Sequence, residues 1–254
     1  GTALFKQYIW ASGNSGFALT GVGRNPQEYP TVSIENGIDG SRAIKLETKS
    51  TGQFGETVKM PIAAGNLFLG SFDVNNAVQK PLKATRFGLP FGKKPLQLKG
   101  YYKYTPGTQP FKAKDKNGNT VTIPGQEDEG DIYAVLYEAA ELDGKALDGN
   151  NVLTSEYIVA LARVEVEKKD EFTAFHVDFH YGSRIPIDWP KFIRDQRDPS
   201  DDGTAPYLSF SEEKMKNYEY NLAVVFTSSK YGAYFAGSVG STLCIDKVEI
   251  VCEK

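Results

Sequence analysis

Residues 224–251, VVFTSSKYGAYFAGSVGSTLCIDKVEIV, contain two β-type runs joined by a loop of small residues. In the second run, alternation with a period of two predicts two strand faces. One face would carry Cys244, Asp246, Val248 and Ile250, and the other Leu243, Ile245, Lys247, Glu249 and Val251. The run therefore predicts a strand that closes the fold.

Similar runs, rich in Val, Ile, Tyr, Phe and Thr, recur between clusters of Gly, Asn, Asp and Pro. They predict about ten strands: Ala43 to Thr48, Phe54 to Pro61, Leu67 to Val74, Leu96 to Thr105, Asn119 to Ile123, Ile132 to Glu138, Tyr157 to Glu167, Glu171 to Tyr181, Tyr220 to Thr227 and Ser241 to Val251. Many short strands separated by turn residues are typical of an all-β sandwich. Asn117-Gly118 predicts a tight hairpin turn, and Ser211 predicts the N-cap of a short helix over 211–217.

Composition limits the classes of function. The chain has 254 residues, 40% of them hydrophobic, and a net charge of −3. All-β sandwiches reach this length as one unit, so we expect one domain over residues 1–254. Because no basic stripe is present, we expect no nucleic-acid partner.

The sequence has no apolar run of eighteen residues, so no transmembrane segment is predicted. The chain begins with Gly1 rather than Met, which leaves room for an upstream signal or lipid anchor that has been removed. Cys244 and Cys252 would lie roughly 26 Å apart on one extended strand, too far for a disulfide. We expect both cysteines to be unpaired.

Short motifs in a fixed order resemble a known family. They are Gly70-Ser71-Phe72, Gly88-Leu89-Pro90-Phe91, Tyr101-Tyr102-Lys103-Tyr104-Thr105-Pro106-Gly107, the strand from Asp131 to Leu136, Ser228-Ser229-Lys230 and Gly240-Ser241-Thr242-Leu243. From about Trp10 to Val251 the chain resembles the putative carbohydrate metabolism domain family of surface lipoproteins from Bacteroides-type gut bacteria.

The resemblance implies a fold, a location and a ligand. Its closing strand is similar to that of jelly-roll carbohydrate-binding modules, which implies an all-β jelly-roll sandwich of the galactose-binding type. The family context implies a monomer at the cell surface, anchored to the outer membrane or periplasmic, with a poly- or oligosaccharide as partner. In those modules the residue equivalent to Asp246 often holds a structural Ca²⁺ between the terminal strands. No other cofactor is implied.

Aromatic side chains are the expected sugar contacts, because their faces stack on the C–H patches of a pyranose while polar neighbours bind its hydroxyls. Trp189, in the long segment 182–206, and Tyr231 and Tyr234, beside Lys230, are candidates because loops at the rim of a sandwich can present them. Alternation within 101–104 separates Tyr101 and Lys103 from Tyr102 and Tyr104, so one pair faces outward. Tyr101 and Lys103 are therefore also candidates.

His176, Asp178 and His180 alternate with apolar residues, which predicts that they share one strand face. Such a row could hold a metal ion if a further ligand came from elsewhere, but the sequence shows none. The favoured alternative is a polar sheet face on which the two imidazoles face water or line a groove, where His176 and His180 would be candidate sugar contacts.

Three functions remain open at this stage. Non-catalytic glycan binding by a cell-surface protein leads. A glycoside hydrolase or lyase is the alternative, and it would need two carboxylates converging in one pocket, with Asp128, Asp131 and Asp178 as candidates. A structural or adhesive surface domain is the third, since sandwich folds host all of these functions. The sequence leaves enzymatic activity undecided and gives no catalytic residue.

Overall fold

A computed structural model describes residues 9–142, 146–198 and 203–253. The described strands are β1 Trp10–Ala11, β2 Thr31–Ile34, β3 Ala43–Glu47, β4 Lys49–Ser50, β5 Ile62–Ala63, β6 Asn66–Phe72, β7 Thr85–Phe87, β8 Leu89–Pro90, β9 Pro95–Thr105, β10 Lys112–Lys114, β11 Thr120–Thr122, β12 Asp131–Glu138, β13 Ile158–Val164, β14 Lys169–Asp178, β15 His180–Tyr181, β16 Tyr220–Thr227 and β17 Thr242–Cys252. The helices are α1 Asn14–Ala18, α2 Gly52–Thr57, α3 Lys191–Arg194 and α4 Glu212–Lys216, and short 3₁₀ turns connect several elements.

Two antiparallel sheets form the sandwich. The front sheet has the order β1-β6-β16-β12-β13-β15, with β7 paired to β6 and β8 paired to β16. The back sheet has the order β14-β9-β17-β3-β2. The predicted all-β jelly-roll sandwich is confirmed, and so are the helix capped by Ser211 and the hairpin β10-β11 around Asn117-Gly118.

The main core lies between the two sheets. Front-sheet residues such as Ile132, Leu136 and Phe226 pack there against Leu98 and Leu243 of the back sheet. All five side chains are at least 98% buried. Burial of each side chain of this size contributes roughly 1.5–3 kcal/mol.

The front sheet is buried on its other face as well. A second cluster on that face joins strand residues such as Tyr133 and Val135 to Leu147, Leu153 and Tyr207 from the connections that cover the sheet. All eight residues of β12 are therefore buried. We call this side of the front sheet its covered face.

A bulge in β17 changes the predicted alternation. Asp246 pairs with Tyr101 but Glu249 pairs with Lys99, so β17 contains one residue more than β9 between these two pairs. Lys247, at a φ of 46°, lies at this bulge. The extra residue reverses the faces beyond it. Val248 and Ile250 consequently pack on the core side with Leu243 and Ile245, and the predicted faces are wrong after Asp246.

Residues 54–61 were predicted as a strand, and that prediction is wrong. Gly52, at a φ of 63°, begins helix α2. Gly55 packs so closely on Thr51 that a Cβ there would lie 1.9 Å from the Thr51 hydroxyl oxygen. The Thr51 hydroxyl donates a hydrogen bond to the Met60 carbonyl at 2.5 Å, which closes the turn. Local turn chemistry therefore overrides the β-type composition of this run.

The predicted strand Glu171 to Tyr181 is divided between the two sheets. β14 ends at Asp178 in the back sheet, whereas β15 begins at His180 and pairs with β13 in the front sheet. The buried Phe179 lies at the crossing, where its N–H donates to the Leu96 carbonyl at 2.8 Å. His176 and His180 therefore belong to different sheets, and the predicted row of three side chains on one face is wrong.

Candidate functional site

A cavity of about 200 Å³ lies on the covered face of the front sheet. Its floor includes Phe68, Tyr133 and Val225 from three strands, and its walls come from segments around Phe17, Phe54, Phe72, Phe87, Trp189, Tyr234 and Phe235. Phe54 is 42% exposed, so the cavity meets solvent beside helix α2. The lining is dominated by aromatic and aliphatic side chains.

Three of the sugar-contact candidates from the sequence, Trp189, Lys230 and Tyr234, line this cavity. The Trp189 ring centroid lies 6.4 Å from that of Tyr234 and 6.4 Å from that of Tyr231. Tyr234 is buried, whereas Trp189 and Tyr231 are half-buried. The Arg197 guanidinium lies 4.4 Å from the Trp189 ring centroid, which holds the indole by a cation–π contact.

Two polar groups that line the cavity make no hydrogen bond within the described residues. The buried indole N–H of Trp189 makes no hydrogen bond. Tyr133 is only 6% exposed, and no hydrogen bond is found for its hydroxyl. Burial raises the pKa of Tyr133, with the nearby Asp131 carboxylate adding to the effect, so the phenol stays neutral. An unpaired buried atom such as the Trp189 indole nitrogen is rare and requires an explanation.

A buried ion pair sits at one end of the cavity. The Arg163 Nε and Nη2 atoms donate to the two oxygens of Asp131 at 3.0 and 2.7 Å. Burial opposes the charged guanidinium, but the attraction and hydrogen bonds of Asp131 outweigh it and raise the pKa of Arg163. Such a two-bond geometry fixes both side chains.

A more polar cleft of about 610 Å³ adjoins the cavity. Asp131, Arg163 and Lys230 line both spaces, whereas Glu129 and Asp188 line the cleft but not the cavity. Lys230 Nζ lies 2.6 Å from Glu129 Oε2 and 5.8 Å from the Tyr231 ring centroid. An apolar cavity and a charged cleft therefore meet at a shared set of hydrogen-bonding side chains.

Asp128 lines the cleft but is 3% exposed and held by the protein. Its Oδ2 accepts hydrogen bonds from Ser229 Oγ at 2.6 Å, Ser241 Oγ at 2.7 Å and the Ser238 N–H at 2.8 Å. Burial raises the pKa of Asp128 to about 6 in spite of these donors. In the sequence, Asp128 is only an acidic residue before a strand, and the serines that bind it lie over 100 residues away. Only the fold shows that these residues meet.

The other sugar-contact candidates lie elsewhere. Tyr101 and Lys103 are on the outward face of the back sheet, where Lys103 Nζ lies 5.1 Å from the Phe172 ring centroid. The exposed His176 is on the same sheet. His180 is exposed in the front sheet and lies 3.0 Å from Ser183 Oγ. The structure brings none of these four side chains to the cavity.

Asp246 holds the loop before β3. Its Oδ2 accepts the Ile38 N–H at 2.7 Å and the Ser41 hydroxyl, and its Oδ1 accepts the Lys247 N–H at 2.7 Å. Burial works against the carboxylate, but these hydrogen bonds outweigh it and lower the pKa of Asp246. In the described ranges, no group of three His, Cys, Asp or Glu side chains is placed to hold a metal ion. Calcium ligation by Asp246 stays a prediction.

Cys244 and Cys252 are both unpaired, as predicted. Among the described helices, none is both long and apolar enough to cross a lipid bilayer.

Comparison with known proteins gives a family and two solved relatives. The profile of the family described as "Putative carbohydrate metabolism domain" matches residues 2–251. A crystal structure of a putative glycoside hydrolase from Bacteroides thetaiotaomicron is 43% identical, with a TM-score of 0.79 over 96% of this chain and 63% of that one. A putative glycoside hydrolase from Bacteroides vulgatus is 38% identical, with a TM-score of 0.77 over 96% of this chain and 85% of that one.

The chain thus spans less than two thirds of the length of the first of these relatives. No functionally curated protein shows significant similarity to it.

Proposed function

The chain belongs to the putative carbohydrate metabolism domain family, and from this premise we propose that it binds an oligosaccharide without cleaving it. The binding site is the junction of the cavity and the cleft on the covered face of the front sheet. The observation that carries the proposal is that Asp131, Arg163 and Lys230 line both the polar cleft and the aromatic-walled cavity beside it.

The junction has the chemistry that a sugar needs. Carboxylate, guanidinium and ammonium groups border the cleft and can bind hydroxyls, while aromatic rings lie beside them. Asp131 and Arg163 are fixed by their mutual hydrogen bonds. Their remaining lone pairs and N–H groups are therefore pre-oriented, which lowers the ordering cost of binding.

One observation favours hydrolysis as a second candidate. Asp128 and Asp131 both line the cleft, and burial raises the pKa of Asp128 to about 6, as a general acid requires. Two observations disfavour hydrolysis. Asp131 accepts hydrogen bonds from Arg163, and Asp128 Oδ2 accepts three hydrogen bonds from protein donors. Asp178, the third carboxylate candidate, is exposed and instead accepts from Gln97 Nε2 at 2.8 Å. Binding is therefore the better-supported function.

The proposed setting is outside the cytoplasm. The family resemblance supports a monomeric, lipid-anchored protein of the outer-membrane surface, facing polysaccharide. Proteinase accessibility on intact cells of a host that expresses the full-length protein tests this location.

Glycan arrays of plant and host polysaccharides, followed by calorimetry on the best ligand and product analysis, test the function. Lys230→Ala removes a cleft cation, and Lys103→Ala is the matched control, because each lysine lies over an aromatic ring. We expect Lys230→Ala to bind the glycan about five- to ten-fold more weakly, because it loses about one charge-assisted hydrogen bond. Lys103→Ala should bind the glycan as the wild type does.

The reverse pattern would move the site to the back sheet, where Tyr101, Lys103 and His176 are the candidates. Turnover that is lost in Asp128→Asn or Asp131→Asn would favour the hydrolase.

A further inference from the structure

The mostly apolar lining of the cavity suits a sugar ring poorly. The cavity volume is about 200 Å³, below the roughly 300–1,000 Å³ of sites for drug-sized ligands, so it has room for a single ring. A pyranose buried there would lose the hydration of several hydroxyls, and each one left unpaired would cost about 1–3 kcal/mol. The glycan of the proposed function therefore belongs in the cleft, and the cavity needs another occupant.

The size of the cavity matches one ring. An engineered apolar cavity of roughly 150 Å³ stays dry and binds benzene. The walls here are rich in rings, among them Phe17, Phe54, Phe68 and Tyr234. Aromatic side chains gain about 0.5–1.5 kcal/mol from edge-to-face or offset contacts with another ring, beyond the burial of area. An aromatic group therefore fits this lining better than an aliphatic group of equal size.

The polar atoms of the cavity indicate what the ring carries. The Tyr133 hydroxyl is unpartnered within the described residues, on a side chain that is 94% buried and lines the cavity. The Trp189 indole N–H, which can only donate, is unpartnered as well. The Trp189 N–H can only donate, and the Tyr133 hydroxyl can donate as well as accept, so an acceptor oxygen on the occupant would satisfy either group.

We infer that the cavity binds a single aromatic ring bearing a hydrogen-bond acceptor, in the form of an aromatic acyl group esterified to the glycan in the cleft. The inference rests on the proposed function, because Asp131, Arg163 and Lys230 line both spaces and so place the ester link between them. The exposed Phe54 and Ala233 mark where the cavity opens to solvent.

Two esters of matched size test the inference. Methyl benzoate has the ring and the acceptor, and methyl cyclohexanecarboxylate has the acceptor on a saturated ring. In NMR titrations of the whole chain we expect methyl benzoate to bind at least about five-fold more tightly, the factor that one aromatic contact provides.

Three variants locate the binding. Tyr133→Phe removes only the unpartnered hydroxyl and should weaken methyl benzoate binding about five-fold, the value of one hydrogen bond. Ala233→Trp fills the opening at an exposed position and should abolish binding while leaving the fold intact. Tyr101→Phe, on the back sheet, is the matched control and should bind like the wild type. No binding of methyl benzoate, equal binding of the two esters, or binding unchanged in both cavity variants overturns the inference.

The two proposals fail separately. If an unsubstituted oligosaccharide binds the wild type and Ala233→Trp equally while methyl benzoate does not bind, the aromatic site is rejected and glycan binding stands. If methyl benzoate binds as expected but no glycan does, glycan binding is rejected and the cavity remains an aromatic-ester site.

Discussion

Asp128 should make the protein less stable as the pH rises from about 4 to about 7. Burial raises the pKa of its carboxyl from 3.8 to about 6 in the folded chain. A raised folded pKa means that the folded state binds the proton more tightly, so this stabilisation is complete below the unfolded pKa and is lost as the pH rises through the folded pKa. A difference of about two pKa units corresponds to about 3 kcal/mol.

Asp128→Asn isolates the effect. The amide oxygen can accept from Ser229, Ser238 and Ser241 as the protonated carboxyl does, but it does not titrate. Urea unfolding of both proteins from pH 4 to pH 7 gives the difference in free energy of unfolding. Relative to the wild type, we expect the free energy of unfolding of the variant to rise by about 2 kcal/mol over this range, since part of the full effect lies below pH 4. Any constant offset from altered geometry adds to this change.

Asp115→Asn is the control of opposite sign. Hydrogen bonds from the Asn119 and Asn117 N–H groups lower the pKa of Asp115, so its contribution is present above the unfolded pKa and is lost as the pH falls through the folded value. A difference between Asp128→Asn and the wild type that stays flat or falls towards pH 7 would refute the reasoning, because the three donors would then outweigh burial.

Three further predictions concern stability. Arg163→Ala should lower the free energy of unfolding by about 3–5 kcal/mol, because it leaves the Asp131 carboxylate buried and unpaired. The double variant Asp131→Asn/Arg163→Met should lose much less stability, and a double-mutant cycle measured by urea unfolding tests the difference. Asp246→Ala should cost about 1–3 kcal/mol, equally in EDTA and in calcium, because the carboxylate binds N–H and O–H donors; stability that depends on calcium would instead support the calcium prediction. Tyr133→Phe should be neutral or stabilising by up to about 1 kcal/mol in thermal unfolding without ligand, since the lost hydroxyl has no described partner, and a clear loss would reveal a structural hydrogen bond.

Periodicity predicted the long strands well because it records which side chains face the core. β9, β12, β16 and β17 lie where their patterns place them. β2 and most of the two- or three-residue strands were missed, since so few residues show no period and depend on their partners; β11 was predicted, because it lies within the run from Asn119 to Ile123. The bulge at Lys247 was missed for another reason: a single extra residue leaves composition unchanged but reverses every later face.

The site was partly predictable. Trp189, Lys230 and Tyr234 were found because aromatic and cationic side chains in loops are unusual unless they bind something or anchor the loop. Asp131 and Arg163 were not linked, because they are 32 residues apart and meet only through the register of β12 on β13, which sequence periodicity does not fix. Tyr133 was not among the candidates, since a strand buried on both faces has no polar side to reveal.

The coverage of the front sheet explains why the site has this form. In a two-layer sandwich the outward face of each sheet is wet, and a ligand there would meet a flat, hydrated surface. Here the connections that contribute Leu147, Leu153, Tyr207 and Trp189 exclude water from that face. The floor strand β12 is hydrogen-bonded on both sides, to β13 and β16, and cannot adjust to a ligand. Beyond the Tyr133 hydroxyl on the floor, ligand selectivity must therefore come from the walls, so substitutions in α2 and in residues 230–235 should change which ligand binds. Truncation of the apolar β12 side chains should instead change whether the protein folds.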